Sequence, residues 1–221
     1  MAIGFDLFSD GGAANPGTSL SWNHTCTGSA LALRVGTIGD LTSDLITGVT
    51  FNTVALTKLG VIQVPSDRFL TLWELLAPAS GLHQIVVSAS ASIFIAGVAA
   101  SYTGVTSSEA ATTNTAASPA TSVTGTVTTV ANNAWTVAAF ADDSGGAISG
   151  GTGTTSRGTN SVTALIIGDS NGALGAGAHT LQGTNGASNW GVVIAALTPS
   201  GAATFNPGWA YGATKTVGGV F

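Results

Sequence analysis

The stretch Ser92-Ile93-Phe94-Ile95-Ala96-Gly97-Val98-Ala99-Ala100-Ser101-Tyr102 decides the fold class. It holds no charge and no proline. Successive side chains of an extended chain point to opposite faces, and here both faces are apolar. That is the pattern of a central strand covered on two sides. Its most apolar part, Ile93 to Ala100, is far shorter than the ~20 residues that cross a bilayer as a helix.

Working outward, Gln84 to Ser88 reads as a second strand rich in Val and Ile, and Phe69 to Leu76 alternates ahead of Pro78. Toward the N-terminus, strands are expected at Ile3 to Phe8, Leu20 to Cys26, Ala30 to Val35 and Gly60 to Val64. Val49 to Asn52 followed by Val54 to Leu56 reads as one bulged strand. Toward the C-terminus, strands are expected at Val123 to Val130, Ala134 to Phe140, Val162 to Gly168, His179 to Gly183 and Trp190 to Leu197. Gly, Asn, Asp and Pro clusters separate them, as in sandwiches and barrels. Thr103 to Ser122 and Asp142 to Asn160 lack periodicity and read as long surface loops. Gly, Thr and Val richness opposes helix, and only Leu41 to Ile46 is open to one. The expected fold is all-β: an antiparallel, jelly-roll-like sandwich over residues 1–200, with an extended C-terminal tail over residues 201–221.

The composition narrows the function. Hydrophobic residues make up 44% of the 221 and charged residues only 7%, against roughly 25% in soluble proteins generally. A net charge of -5 with five Lys and Arg lacks the basic stripe that nucleic acid requires, and equally the polybasic patch for an anionic membrane. The single cysteine, Cys26, excludes an internal disulfide framework. Met1 to Asp10 carries Asp6 and Asp10 and no basic segment of the kind that opens a signal peptide. Thr, Ser, Asn and Gly must therefore supply the polar surface. Such a surface hydrogen-bonds water but repels nothing, which suits close contact with neighbours.

Catalytic candidates are few, and each has an ordinary reading. His24 and Cys26 share a strand face, so a Cys–His dyad is geometrically open, but a small core cysteine beside a half-buried histidine is the better expectation. Asp142-Asp143-Ser144-Gly145 and Asp169-Ser170-Asn171-Gly172 could offer oxygens to a hard cation, yet Asp and Asn make such turns unaided, and neither stretch has the spacing of a calcium loop. Glu74, beside Trp73, reads as a structural partner for Arg34 or Arg68. Trp22, Trp73, Trp135 and Trp190 are expected in or at the rim of the core; two of them exposed on one face would suggest a sugar-stacking platform. No catalytic, cofactor or metal residue is assigned. In the tail, Phe205, Trp209, Tyr211 and Phe221 stand among glycines as interface anchors.

Several segments together resemble a widespread group of uncharacterised β-rich proteins encoded with phage and other virion structural genes. They are Val49-Thr50-Phe51-Asn52-Thr53-Val54-Ala55-Leu56-Thr57, Leu72-Trp73-Glu74-Leu75-Leu76-Ala77-Pro78, Val98-Ala99-Ala100-Ser101-Tyr102-Thr103-Gly104-Val105, Asn133-Ala134-Trp135, and Trp190 to Pro199. The resemblance covers roughly residues 30–200 and implies a virion context, without supplying catalytic residues. That context admits capsid decoration, a head fibre or a tail accessory, and the expected function is a capsid decoration protein on the outer surface of a particle, made in the host cytoplasm. Its partners are then the major capsid protein or other virion proteins, and further copies of itself. The alternatives are a tail or fibre module that binds a receptor or glycan, and a self-assembling filament or tube subunit.

Overall fold

The computed structural model describes residues 1–40, 43–65, 68–143 and 147–201. The described residues form thirteen strands in chain order: β1 (Gly4–Cys26), β2 (Ala32–Asp40), β3 (Ile46–Phe51), β4 (Val54–Ala55), β5 (Thr57–Val64), β6 (Arg68–Leu76), β7 (Gly81–Thr103), β8 (Val105–Thr129), β9 (Trp135–Asp142), β10 (Ser149–Gly150), β11 (Thr155–Thr159), β12 (Leu165–Asp169) and β13 (Gly177–Pro199). No helix occurs among the described residues. Of the segment open to a helix, residues 41–42 lie outside the described residues and Ile46 begins β3.

Strands β1 to β7 form one antiparallel sheet in the order β4-β3-β7-β2-β6-β5, with β1 along the other edge of β7; β8 to β13 form a second in the order β10-β13-β9-β12-β11, with β8 along β13. Exchange β1, β2, β3, β5, β6 and β7 for β8, β9, β10, β11, β12 and β13, and the first order becomes the second; β4 alone has no counterpart. The chain is two tandem copies of one module. Details recur with the topology. Gly81 and Gly177, which open β7 and β13, have φ of 101° and 143°. Ring Nε2 of His83 bonds the Ser80 carbonyl (3.1 Å), and that of His179 bonds the Gly175 carbonyl (2.7 Å). Ala30 and Asn133, each two residues ahead of the next strand, have φ of 50° and 61°.

The four longest strands bend in the middle. Along β1–β7 the register shifts between Asp10 and Ser19, and along β8–β13 between Thr184 and Trp190. The bend in β1 leaves room for an aromatic wedge: a Cβ on Gly97 would stand 2.6 Å from the Trp22 ring, and one on Gly11 2.7 Å. Bending folds each sheet back on itself and creates three cores. The central one joins the two modules and includes Leu70, Leu72, Val98 and Tyr102 from the first with Trp135, Leu165, Val193 and Leu197 from the second. A second lies within the first module, around Phe51, Trp73, Ile85 and Ile95. A third lies within the second module, around Phe140, Ile166, Leu181 and Trp190. The result is a sandwich whose two inner layers are covered on both faces. This explains why β9 and β12 are buried at every residue and β2 at all but the last. Each buried Leu, Ile or Phe contributes roughly 1.5–3 kcal/mol, so the stability is concentrated in these inner layers.

The antiparallel sandwich expected from the sequence is what forms, with differences in its parts. Residues 103–122 are not a loop: Val105 onward belongs to β8, which pairs with β13 from Pro199 back to Gly177. Its Thr-rich sequence has no apolar period because the long neighbour, not a core face, sets its course. The loop expected over Asp142 to Asn160 contains β10 and β11. The bulged strand expected at Val49 to Leu56 is the hairpin β3–β4, turned by Asn52 and Thr53 at φ of 48° and 66°. Two consecutive left-handed residues give the twist that a tight hairpin needs. Finally, β1, β7 and β13 each unite two strands that read separately in the sequence.

Candidate interaction surfaces

Every described ionic side chain is engaged within the body. Arg34 Nη2 lies 2.8 Å from Glu74 Oε2. Lys58 pairs with Asp44 at 2.6 Å and lies over the Trp73 ring at 4.8 Å. Arg68 meets Asp40 at 3.2 Å and donates to the Asp142 carbonyl. Arg157 grips Asp169 through Nε and Nη2 (2.6 and 2.8 Å), with its guanidinium 4.4 Å from the Phe5 ring centre. These are all the basic residues of the body; the fifth, Lys215, lies outside the described residues.

The remaining described acids serve the backbone and neutral partners; Asp67 lies outside the described residues. Asp6 accepts from the Thr27 amide and from Ser101, and Glu109 accepts from the amides of Val130 and Ala131. Asp10 accepts from Asn160 and the Ser161 amide, and Asp143 accepts from Asn189. Asp142 is buried, and it too is engaged.

Among the described residues, the exposed positions of β1, β7, β8 and β13 are uncharged. Where β1 and β7 run back over the first module, Leu20, His24, Ile85 and Val87 turn inward, while Ser19, Ser21, Asn23, Gln84 and Ser88 are exposed. In the second module Val123, Val127 and Leu181 turn inward and Thr126, Thr128, Thr180 and Thr184 are exposed. Cross-strand hydroxyls knit this face together: Thr126 to Thr180 at 2.7 Å and Ser149 to Thr184 at 2.8 Å. Strand β8 also fastens to itself across its bend, Asn114 Nδ2 donating to the Thr124 carbonyl at 3.0 Å. Alternation over Val123 to Val130 already marks this face in the sequence; its counterpart on β1 is hidden by Trp22 and His24, which sit among the polar residues.

The sequence candidates for chemistry resolve into structure. His24 is 1% exposed and Cys26 0%. Burial pushes the Cys26 thiol up to about 12, helped by Asp6 and opposed by a Ser101 hydrogen bond. Burial lowers His24 to about 4, with Asp6 opposing. A thiolate–imidazolium pair needs the opposite shifts. Ser9 Oγ accepts from Trp22 Nε1 at 3.0 Å and shares a hydrogen bond with His24 Nδ1 at 2.8 Å, whose direction follows the ring's tautomer.

The acidic turn at Asp169 is a self-bonded one: Asp169 Oδ1 accepts the Asn171 amide at 2.8 Å and both its oxygens hold Arg157. At the other acidic turn, Ser144 and Gly145 lie outside the described residues. Of the two partners considered for Glu74, Arg34 is the one taken. Trp73, Trp135 and Trp190 are buried and Trp22 half-buried, so the four form no exposed aromatic platform. The tail anchors Phe205, Trp209, Tyr211 and Phe221 lie outside the described residues.

The histidine carries a pH prediction. Between pH 6.5 and 4 the unfolded chain protonates His24 and the folded chain does not. Its stabilisation is therefore complete above pH 6.5 and is lost as pH falls toward 4, with a ceiling of about 3 kcal/mol. Urea midpoints of His24→Gln should fall less between about pH 7 and 4.5 than those of the parent. Parallel slopes would remove His24 from the pH response.

No protein-family model matches the chain, and no curated protein matches it.

Proposed function

We propose that this chain is a structural protein of a virus particle, a decoration protein that binds the outer surface of the capsid and stabilises it. The observation that carries the reading is the engagement of every described charge inside the body, which leaves outer faces of Ser, Thr, Asn and Gln. Docking such a face strips water from hydroxyls and amides rather than from ions, which is the smaller desolvation cost. An interface of ordinary size, about 1,600 Å², then keeps more of its apolar gain. Repetition over many sites on a shell multiplies a modest affinity per copy. The resemblance to proteins encoded with virion structural genes supports the same location, with the major capsid protein or other virion proteins, and further copies of this chain, as partners. Trp209, Tyr211 and Phe221 serve as tail anchors on the partner.

Immunogold labelling with antibody against the full chain tests the location: gold is expected over capsid shells in purified particles. Gold confined to tails would move the protein to a receptor-binding role, and particles free of label would end the virion reading. A second test addresses the outer faces. Ser21→Lys and Thr128→Lys place an unpaired charge on each face at exposed positions, so stability should change by no more than about 0.5 kcal/mol. Rebinding of either variant to particles stripped of the protein should weaken by about ten-fold or more, since a lone charge buried in an interface is costly. Unchanged rebinding by both variants would show that these faces are not used.

A further inference from the structure

Strand β1 is an edge strand: among the described residues it pairs only with β7. Its main chain over Ser19 to Asn23 turns away from β7. The Asn52 amide donates to the Gln84 carbonyl (3.1 Å) and Thr47 Oγ1 to the Ser88 carbonyl (3.2 Å), so both carbonyls point toward β3. In an antiparallel ladder such positions are the non-hydrogen-bonded pairs, whose two members turn N–H and C=O away from each other. Ser19 stands opposite Ser88, Ser21 opposite Val86 and Asn23 opposite Gln84, with no register shift between them. All three therefore present N–H and C=O groups along a free edge, in a segment without charge or proline.

In the second module the same edge is closed. Asp6 accepts the Thr27 amide as Glu109, 103 residues on, accepts the amide of Val130, also 103 residues on. At that offset Ser21 and Asn23 become Thr124 and Thr126. Their carbonyls are taken from the other half of β8, by Asn114 Nδ2 (3.0 Å) and Thr112 Oγ1 (2.5 Å). The first module lacks these plugs. Gly11, in the place of Asn114, has no side chain. Ser9, in the place of Thr112, bonds Trp22 Nε1 (3.0 Å) and His24 Nδ1 (2.8 Å) instead.

We propose that this open edge pairs with the same edge of a second copy, β1 to β1, about a two-fold axis at Ser21. The register is self-complementary. Ser21 of one copy meets Ser21 of the other, and Ser19 meets Asn23, so the outward groups of all three residues are exchanged. On the inward face Leu20 of one copy falls opposite Trp22 of the other. Trp22, half-buried over Gly11 and Gly97, gains cover from that contact. On the outer face only Ser and Asn side chains meet, so no like charges oppose the approach. Main-chain bonds supply the affinity, as in strand addition generally, and a two-fold pair closes on itself at the dimer. The inference states how copies of this chain meet and stands without the virion reading, since it needs no particle.

Sedimentation equilibrium of the purified full-length chain tests it, and the parent should show a reversible monomer–dimer equilibrium. Ser21→Pro removes the central outward N–H at a position where an edge strand tolerates proline. Ser21→Glu keeps the strand and sets two carboxylates opposite each other. Each should raise the dimer dissociation constant by about ten-fold or more. Thr128→Glu, at an exposed position of the closed edge, should leave it unchanged. A parent that stays monomeric, a dimer that Ser21→Glu leaves intact, or equal weakening by Thr128→Glu would overturn the proposal. A dimer that behaves as expected, from particles that take no gold label, would uphold the pairing while the virion reading falls.

Discussion

Glu74→Leu is expected to lower the unfolding free energy by about 3–5 kcal/mol, the usual effect of removing one member of a buried ion pair. Arg34 on β2 and Glu74 on β6 stand directly opposite in register, and Arg34 is 0% exposed. The pair also spans the central core: Arg34 Nη2 donates to the Ala196 carbonyl on β13 (3.3 Å), and Ser108 on β8 donates to Glu74 Oε1 (2.8 Å). Removing Glu74 strands a guanidinium that cannot lose its proton. Arg34→Met is expected to cost less, because a stranded Glu74 can take up a proton and keep its Ser108 bond. Arg34 Nε and Nη1 find no hydrogen-bond partner among the described residues, so the pair is imperfectly satisfied. The double variant Arg34→Met/Glu74→Leu should therefore recover to within about 1 kcal/mol of the parent. Urea unfolding of the four proteins gives the coupling directly. Two single losses that simply add in the double variant would show that the pair acts as two independent side chains.

The ion pair was legible from the sequence because Glu74 is the one acid well inside an apolar strand, and such a group demands a partner. Central strands were legible for the same reason: Ser92 to Tyr102 and Trp190 to Leu197 are apolar on both faces, and no other environment accommodates them. Where a strand's course is set by its neighbour, the sequence is silent. Most of the described side chains over residues 105–122 are exposed or half-exposed and carry no period, yet the segment pairs almost throughout with β13.

The duplication had left a trace that periodicity alone does not reveal. Gly81 and His83 recur as Gly177 and His179, each 96 residues on. The trace is faint because bulges shift the frame by one residue between the halves of β13: Ile85 corresponds to Leu181 in the inward-facing set, but Val98 corresponds to Val193. Of the interaction surfaces, the lack of charge was visible in the composition. Its sharper form, that each described ion is already engaged, depends on contacts such as Arg157 to Asp169 and Asp10 to Asn160, which no spacing announces.

Asn160→Asp is expected to destabilise the protein more than Asn160→Ala, although it preserves shape. Asn160, 6% exposed, is the latch between the modules at the bend of β1. Its Nδ2 reaches Asp10 Oδ1 (2.9 Å), the Gly12 carbonyl (2.9 Å) and the Gly97 carbonyl (3.0 Å). Its Oδ1 accepts the amides of Val162 and Thr163 (2.9 and 3.1 Å). One side chain thus shapes the loop before β12 and fastens it to the first module. Alanine leaves these groups without a partner in a dry site, where each buried unsatisfied polar group costs about 1–3 kcal/mol. With part of the site open to water at Ser161, a total near roughly 3–4 kcal/mol is expected. Aspartate keeps the two amide acceptances but aims a second oxygen at three acceptors, one of them the Asp10 carboxylate. At neutral pH the variant must bury that repulsion or take up a proton. Its deficit should therefore exceed that of alanine near pH ~7 and shrink as pH falls toward ~4, where the introduced carboxyl, once protonated, donates again. Equal losses for the two variants across that range would mean that the Nδ2 contacts do not hold the modules together.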